Sequence, residues 1–348
     1  MFVPVSIIAA FAGAGGVAVF ILACLGVVPL SGKIAYATEE LAGYLGPSIG
    51  GLLNATFGNA AELIIAFFAV RAGLLDVVKA SITGSILGNT LLVLGAALFA
   101  GGIKNGEQRF NRDAVGVQSA MLLVAVAALV IPDTFVKASI GLGMHAEDVQ
   151  NRSVQLLSLG VAFVLIVVYV CGTLYSLHAH KAVFGANSEE GTPSLSKRAA
   201  VTMLIIATVF VAVLSELLVS GIEDVVHKLG VTELFIGLIL VPIVGNAAEH
   251  SSAVMLAMKN KVDVAFAIAV GSSTQIALFV APLLVFISLL VGHPLTFIFV
   301  GVEIWSILLA VMVVNAISHD GQSNWLEGLM LLACFAIIAL CAFFVRGV

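Results

Sequence analysis

Long apolar runs, broken by short polar clusters, set the pattern of this chain. A helix needs about 20 predominantly apolar residues to cross a bilayer, and stretches of that order recur from end to end, separated by Gly, Pro and charges. They predict spans at 2–14, 16–40, 47–71, 75–101, 114–132, 153–178, 199–221, 232–258, 263–290, 295–317 and 325–345. The expectation is an all-α polytopic membrane protein of about eleven transmembrane helices, or ten if the short first span, followed by Gly13-Ala14-Gly15-Gly16, does not cross. No soluble domain interrupts the pattern, so 1–348 reads as one transmembrane domain. The polar connection 182–198, with Glu189-Glu190 and Gly191-Thr192-Pro193-Ser194, divides it into halves: 16–181, after an N-terminal helix 2–14, and 199–348.

Composition agrees. Of 348 residues, 61% are hydrophobic and 10% charged, against about 25% charged in soluble domains, and the mean hydropathy is +1.17. The net charge of −5 lies mostly in loops, and no basic patch is interleaved with aromatics, which excludes nucleic acid as a partner. Cys24, Cys171, Cys334 and Cys341 fall inside spans without metal-ligand spacing and read as small packing or lipid-facing residues. Met1-Phe2-Val3-Pro4 lacks the basic n-region of a secretory signal, so the first apolar stretch is expected to be retained. Placed on alternate sides, eight cations (Lys104, Arg109, Arg112, Lys181, Lys197, Arg198, Lys259, Lys261) face six (Arg71, Lys79, Lys137, Arg152, Lys228, Arg346). The positive-inside rule then predicts a cytoplasmic N-terminus.

Within this apolar background, Gly58-Asn59-Ala60-Ala61-Glu62 recurs letter for letter as Gly245-Asn246-Ala247-Ala248-Glu249. Asn246 follows Asn59 by 187 residues, and the same offset pairs Asp76 with Asp263, Gly84 with Gly271, Ser85 with Ser272 and Gly50 with Gly237. This is an internal duplication. The motifs fall in the third and eighth spans, an odd separation, so the copies enter the membrane from opposite faces. Inverted repeats of this kind place a substrate site at the midplane between them. Upstream the register slips: Thr38-Glu39 and Ser215-Glu216 read as matching ends of the second and seventh spans, with a longer loop in the second half holding Glu223, Asp224 and His227.

An acid within a membrane span costs about 2.5–3.5 kcal/mol on insertion scales, so Glu62 and Glu249 are the first candidates for a functional site. Asn59 shares a helical face with Glu62, and Asn246 with Glu249. Ser85 and Asn89, and Ser272 and Gln275, add oxygen donors on the spans that follow. Carboxylates, amides, hydroxyls and the backbone carbonyls near Gly58 and Gly245 suit a hard cation such as Ca²⁺, whereas soft metals call for Cys or His clusters. Two carboxylates are neutralised by one divalent cation or by two protons, while the empty dianion is strongly disfavoured. Competition for one pair of acids is a complete scheme for cation/proton exchange. Gly58 and Gly245 suit tight helix packing equally well, and Asn59 and Asn246 also suit helix bridging. Asn89 faces Ile276 at the fixed offset and Gln275 faces Gly88, so neither has a mate. His250 suits proton carriage or packing, with Leu63 as its mate. Asp76 and Asp263 read as helix caps, and Glu303, Asp320 and Glu327 as structural.

At these residues the chain resembles the Ca²⁺/H⁺ antiporter (CAX) family of the cation/Ca²⁺ exchanger superfamily. The resemblance lies in GGLLNATFGNAAELI and GSILGNTLLV within 50–93, GNAAEHSSAV and AVGSSTQIALFVAP within 237–282, and DGQSNWLEG at 320–328. It implies one helix outside two inverted five-helix repeats, and Glu62 and Glu249 as carboxylates shared by Ca²⁺ and H⁺. It further implies a site lined by Asn59, Asn246, Ser85, Ser272, Asn89 and Gln275, and gating by the second and seventh spans, which carry Glu39 and Glu216. The acidic segment between the halves, often longer in the family, is reduced here to Glu189-Glu190. Asn-Ala-Ala-Glu, in place of the Ser/Thr-rich Pro-Glu motif of sodium-coupled members, favours protons over Na⁺.

The expected function is secondary-active Ca²⁺/H⁺ antiport, with Ca²⁺ as transported substrate, no cofactor, and the lipid bilayer as surroundings. The short loops lean towards a prokaryotic cytoplasmic membrane, and a homo-oligomer is compatible with the sequence. The rivals are a Na⁺-coupled or Mn²⁺-preferring exchanger and a passive cation channel. No HExxH, nucleotide-binding or nucleophile motif points to an enzyme.

Overall fold

A computed structural model describes residues 2–142, 153–179 and 193–345. Arg152, Lys181, Glu189, Glu190, Arg346 and most of the connection between the halves lie outside the described residues. Helices α1 (Phe2–Phe11), α2 (Gly16–Phe57), α3 (Ala60–Arg71) and α4 (Leu75–Asn105) open the first half. Strand β1 (Gln108–Arg109) follows, then α5 (Arg112–Gly141) and α6 (Val154–Ala179). The second half holds α7 (Lys197–Ser220), α8 (Ile222–Leu229), α9 (Glu233–Gly245), α10 (Ala247–Met258), α11 (Val262–Val291), α12 (Gly301–Ile317), β2 (Gln322–Ser323) and α13 (Trp325–Phe344). This is an all-α membrane protein. Among the described residues seven helices are long and apolar enough to span a bilayer, and the α9–α10 pair, bent by 62°, makes an eighth if it crosses once.

The duplication reappears as geometry. Shifted by 187 residues, Ala60–Arg71 falls on Ala247–Met258 and the start of α4 at Leu75 falls on the start of α11 at Val262. Gly73, with φ of 79°, falls on Asn260, with φ of 61°. Each motif marks an interruption: Asn59 (φ −99°, ψ 22°) and Asn246 (φ −88°, ψ 10°) share one non-helical conformation at the head of α3 and α10. A widened, π-type turn at Gly88–Val93 in α4 is matched at Ile276–Val280 in α11; such turns gather at functional sites.

Packing brings these pieces to the middle. α2 lies antiparallel along α7, with Gly16 beside Asp224 and Tyr44 bonded to Leu195. Asp224 Oδ2 accepts from Gly16 N (2.8 Å) at the head of α2. At the other end Glu40 accepts from Ser194 Oγ and Leu195 N, both at 2.7 Å, at the head of α7. Gly84 of α4 meets α9 so closely that an added Cβ would lie 2.2 Å from Leu238 O. The connection after α4 joins two others: β1 pairs antiparallel with β2, Gln108 opposite Ser323, and Asn105 and Gln108 donate to Ala257 O.

Several boundaries differ from the expectation. The third span, 47–71, is split, because α2 runs on past Gly46 (φ 79°) to Phe57 and α3 begins within the motif, at Ala60. The span expected at 114–132 continues through Pro132 to Gly141. The span expected from 295 begins at Gly301. Before it, side chains take the place of helical partners, Ser288 Oγ accepting from Leu295 N and Ser158 Oγ from Phe297 N. The loop expected around Glu223, Asp224 and His227 is the helix α8, closed by left-handed Gly230 (φ 67°). Asp76 and Asp263 stand in first turns but make no cap bond to their own helices; Asp76 pairs with Lys79 (3.3 Å), and Asp263 accepts from Asn111 N at the head of α5. Glu303 and Glu327 serve structure as expected, accepting from Val300 N (2.7 Å) and Asn324 N (3.4 Å).

Candidate ion-binding site

Both interruptions, together with the serines and amides one helix further on, form a single buried polar network. Ser272 Oγ donates to Asn59 Oδ1 (2.9 Å), and Asn246 Nδ2 donates to Ser85 Oγ (3.3 Å). Each motif asparagine therefore meets the serine of the other half, the reciprocal pattern of a two-fold relation. The larger amides repeat it: Asn59 Nδ2 donates to Gln275 Oε1 (2.6 Å), while Asn89 Nδ2 donates to Asn246 Oδ1 (3.4 Å), Ser272 Oγ (3.1 Å) and Glu249 Oε2 (3.5 Å). Asn89 and Gln275 are thus counterparts standing 186 residues apart, not 187. The widened turns absorb the difference, because one begins at Gly88 and the other at Ile276, one position later in the repeat.

Glu62 is 8% exposed, and neither of its carboxylate oxygens has a hydrogen-bond partner among the described residues; Asn89 Oδ1 is likewise unpartnered. A buried carboxylate with no donor is costly, so these oxygens stand ready for a cation or a proton. Among the described residues no three His, Cys, Asp or Glu side chains converge. The donors on hand are two carboxylates supplemented by neutral amide and hydroxyl oxygens, a hard-cation set.

Asn246 also donates its backbone N–H (2.9 Å) and its Nδ2 (3.0 Å) to Pro242 O, which closes α9 at the motif. Gly245 leaves room for the opposing acid: a Cβ there would lie 3.2 Å from Glu62 Cγ. A Cβ on Gly58 would instead meet its own helix, 2.6 Å from Asn54 O. The halves differ in exposure as well. Ala60, Ala61 and Glu62 are buried, whereas Ala247, Ala248 and Glu249 are half-buried.

Of the other sequence-derived candidates, His250 is half-buried, its Nε2 enclosed and without a hydrogen-bond partner among the described residues, outside the hydrogen-bonded network. Glu39 and Glu216 are not brought together. Both are exposed on α2 and α7, Glu216 lying 3.8 Å from Arg71. Their neighbours Thr38 and Ser215 are fully enclosed, and their hydroxyls have no hydrogen-bond partner among the described residues. The paired Thr-Glu and Ser-Glu signal marked these positions in the sequence, without indicating that the hydroxyl is the buried member.

The sequence profile of the sodium/calcium exchanger protein family matches residues 15–178 and 199–344. A Ca²⁺/H⁺ antiporter of Synechocystis sp. is 43% identical, covering 99% of this chain and 95% of its own. The Ca²⁺/H⁺ antiporter ChaA of Bacillus subtilis is also 43% identical, covering 97% and 95%. The structure of native YfkE superposes with a TM-score of 0.85 at 41% identity, covering 99% of this chain and 97% of that one. An H⁺/Ca²⁺ exchanger CAX structure shares the fold, with a TM-score of 0.74 at 16% identity over 99% and 90% of the chains. The chain belongs to the sodium/calcium exchanger protein family, and the Synechocystis and Bacillus relatives, matched over nearly their whole length, bear Ca²⁺/H⁺ antiporter names.

Proposed function

We propose that this chain is a secondary-active Ca²⁺/H⁺ antiporter in which Glu62 and Glu249 carry one Ca²⁺ or two protons in turn. The unpartnered, buried carboxylate of Glu62, facing the break at Gly245, carries the reading. A charge kept there without donors belongs to a group whose partner comes and goes. Asn59, Asn246, Ser85, Ser272, Asn89 and Gln275 hold the two breaks in register and offer neutral oxygens to the ion. The antiporter relatives, similar over their full length, support the choice of Ca²⁺ and H⁺ over Na⁺ coupling.

The finer architecture is eleven helices, one ahead of two inverted five-helix repeats at 16–181 and 199–348. The recurring element bounds and the reciprocal Asn–Ser bonds support it. In such a frame the greater burial of the first motif relative to the second is one of two mirror states. Exchanging the environments of the halves, with α2 and α7 sliding over the rest, opens the site to the opposite face. The protein resides in a prokaryotic cytoplasmic membrane, with its N-terminus and the connections bearing Lys104, Arg109, Lys197, Arg198, Lys259 and Lys261 inside.

The test is ⁴⁵Ca²⁺ uptake into everted vesicles driven by an imposed pH gradient. Uptake is expected from the wild type and lost in Glu62→Gln and in Glu249→Gln. Undiminished exchange in either variant overturns the assignment, and Na⁺-driven flux at clamped pH transfers it to a sodium-coupled exchanger. Flux indifferent to both gradients identifies a channel.

A further inference from the structure

Away from the polar network, α2 and α7 leave an open cleft of about 570 Å³ near the head of α7. Its wall is apolar, with Leu30, Met203 and Ile206, and its rim carries Lys33, Arg198 and Thr202. The two cations are out of keeping with their surroundings. Lys33 stands well inside the long apolar segment of α2, Gly16–Gly46, where a lysine is tolerated when its head reaches water or meets an anion. Arg198 stands in the first turn of α7 beside Lys197, at the positive end of the helix dipole, where cations are disfavoured. Among the described residues neither Lys33 nor Arg198 lies within ion-pair distance of an acid. The flanking face of α7 is lipid-like in character, exposing Val201, Ile205 and Val209.

An anion that brings its own hydrocarbon satisfies all of these conditions at once. We propose that the α2–α7 cleft is a binding site for an anionic glycerophospholipid. The phosphate sits between Lys33 and Arg198, and one acyl chain lies along Leu30, Met203 and Ile206. Charge complementarity selects the headgroup: basic pockets between transmembrane helices bind anionic lipids in this way, and a zwitterionic lipid, whose ammonium group would lie among these cations, is disfavoured. Thr202 offers a hydroxyl at the same rim. The repeat does not require the site, because at the offset that aligns Thr38 with Ser215, Lys33 falls on Phe210 of α7.

Native mass spectrometry of the purified full chain, titrated with dioleoyl phosphatidylglycerol or dioleoyl phosphatidylcholine, tests the site. The wild type is expected to retain phosphatidylglycerol selectively. Lys33→Gln with Arg198→Gln is expected to weaken that binding about thirtyfold, the effect of two cations near a membrane surface. Lys33→Arg with Arg198→Lys keeps both charges and is expected to preserve it, which separates lost charge from lost folding. Equal retention of both lipids, or unchanged phosphatidylglycerol binding in the glutamine variant, overturns the proposal. So does displacement of the lipid by inorganic phosphate at the same concentration, which would mark a free-anion site. Lipid found on monomers but excluded from dimers would give the cleft to a second copy of the chain and overturn it as well.

Discussion

Ser272 carries two bonds of the buried network, donating to Asn59 Oδ1 and accepting from Asn89 Nδ2, whereas its mate Ser85 accepts one, from Asn246 Nδ2 at 3.3 Å. Leaving a buried polar group without its partner costs about 1–3 kcal/mol. Ser272→Ala leaves Asn59 Oδ1 without its donor and Asn89 Nδ2 with only its two longer bonds, whereas after Ser85→Ala Asn246 Nδ2 keeps its bond to Pro242 O. The Ca²⁺ concentration for half-maximal exchange is therefore expected to rise about fivefold more in the former. Equal effects would mean that the two serines touch the ion alike and that their hydrogen bonds are incidental. The carboxylates make a second prediction, about pH. A Ca²⁺ that binds a doubly protonated pair releases two protons, so affinity rises as pH rises, by up to about a hundredfold per unit. In Glu62→Gln one proton remains to be displaced, and the dependence is expected to fall to about tenfold per unit. Equilibrium ⁴⁵Ca²⁺ binding at a series of pH values measures it, and an unchanged slope would remove Glu62 from the exchange.

Among the elements, close backbone approach fixes the frame that holds these side chains. Gly84 faces Leu238 O with no space for a methyl group, and a backbone carbonyl cannot swing aside as a side chain can. Gly84→Ala is expected to destabilise the protein by about 1–3 kcal/mol, read as a lowered melting temperature in detergent. Gly116→Ala, in α5 with nothing within 4 Å of the added Cβ, is expected to be neutral or stabilising by up to about 1 kcal/mol. If both glycines tolerate alanine equally, the α4–α9 contact is not the constraint described. The frame itself was largely legible in the sequence, since apolar runs set the helices and a gapless offset of 187 set the matching ends of α3, α10, α4 and α11. Conformation that no side-chain pattern reports was less legible. The widened turns in α4 and α11 left Asn89 and Gln275 looking unmatched, because a π-type turn shifts register by one residue without altering the hydrophobic pattern. Helix α8 read as a loop because its charges mask its one apolar face, on which Ile222 and Val225 are buried. The apolar Leu295, Phe297, Ile298 and Phe299 suggest an earlier start for α12 than the structure has, yet the N–H groups of Leu295 and Phe297 are met by serine hydroxyls rather than by a helix.

At the scale of the whole molecule, a pseudo-two-fold frame with unequal halves must be able to exchange them. Ala60 is 7% exposed while its counterpart Ala247 is half-buried, although both begin an identical Ala-Ala-Glu turn and share one backbone conformation. The inequality comes from how the halves pack, since α2 and α7 cover one motif more closely than the other. If exchange proceeds by swapping these environments, cysteine labelling reports it directly. In a background with Cys24, Cys171, Cys334 and Cys341 replaced, Ala247→Cys is expected to react with a water-soluble thiol reagent faster than Ala60→Cys in the state described. Presenting Ca²⁺ to the opposite face of oriented vesicles, under a pH gradient that drives exchange, is expected to reverse that order. A rate ratio that stays fixed while Ca²⁺ flux proceeds would show that the ion passes without the halves trading places. The carboxylate chemistry would then survive, and the mirror-state mechanism would not.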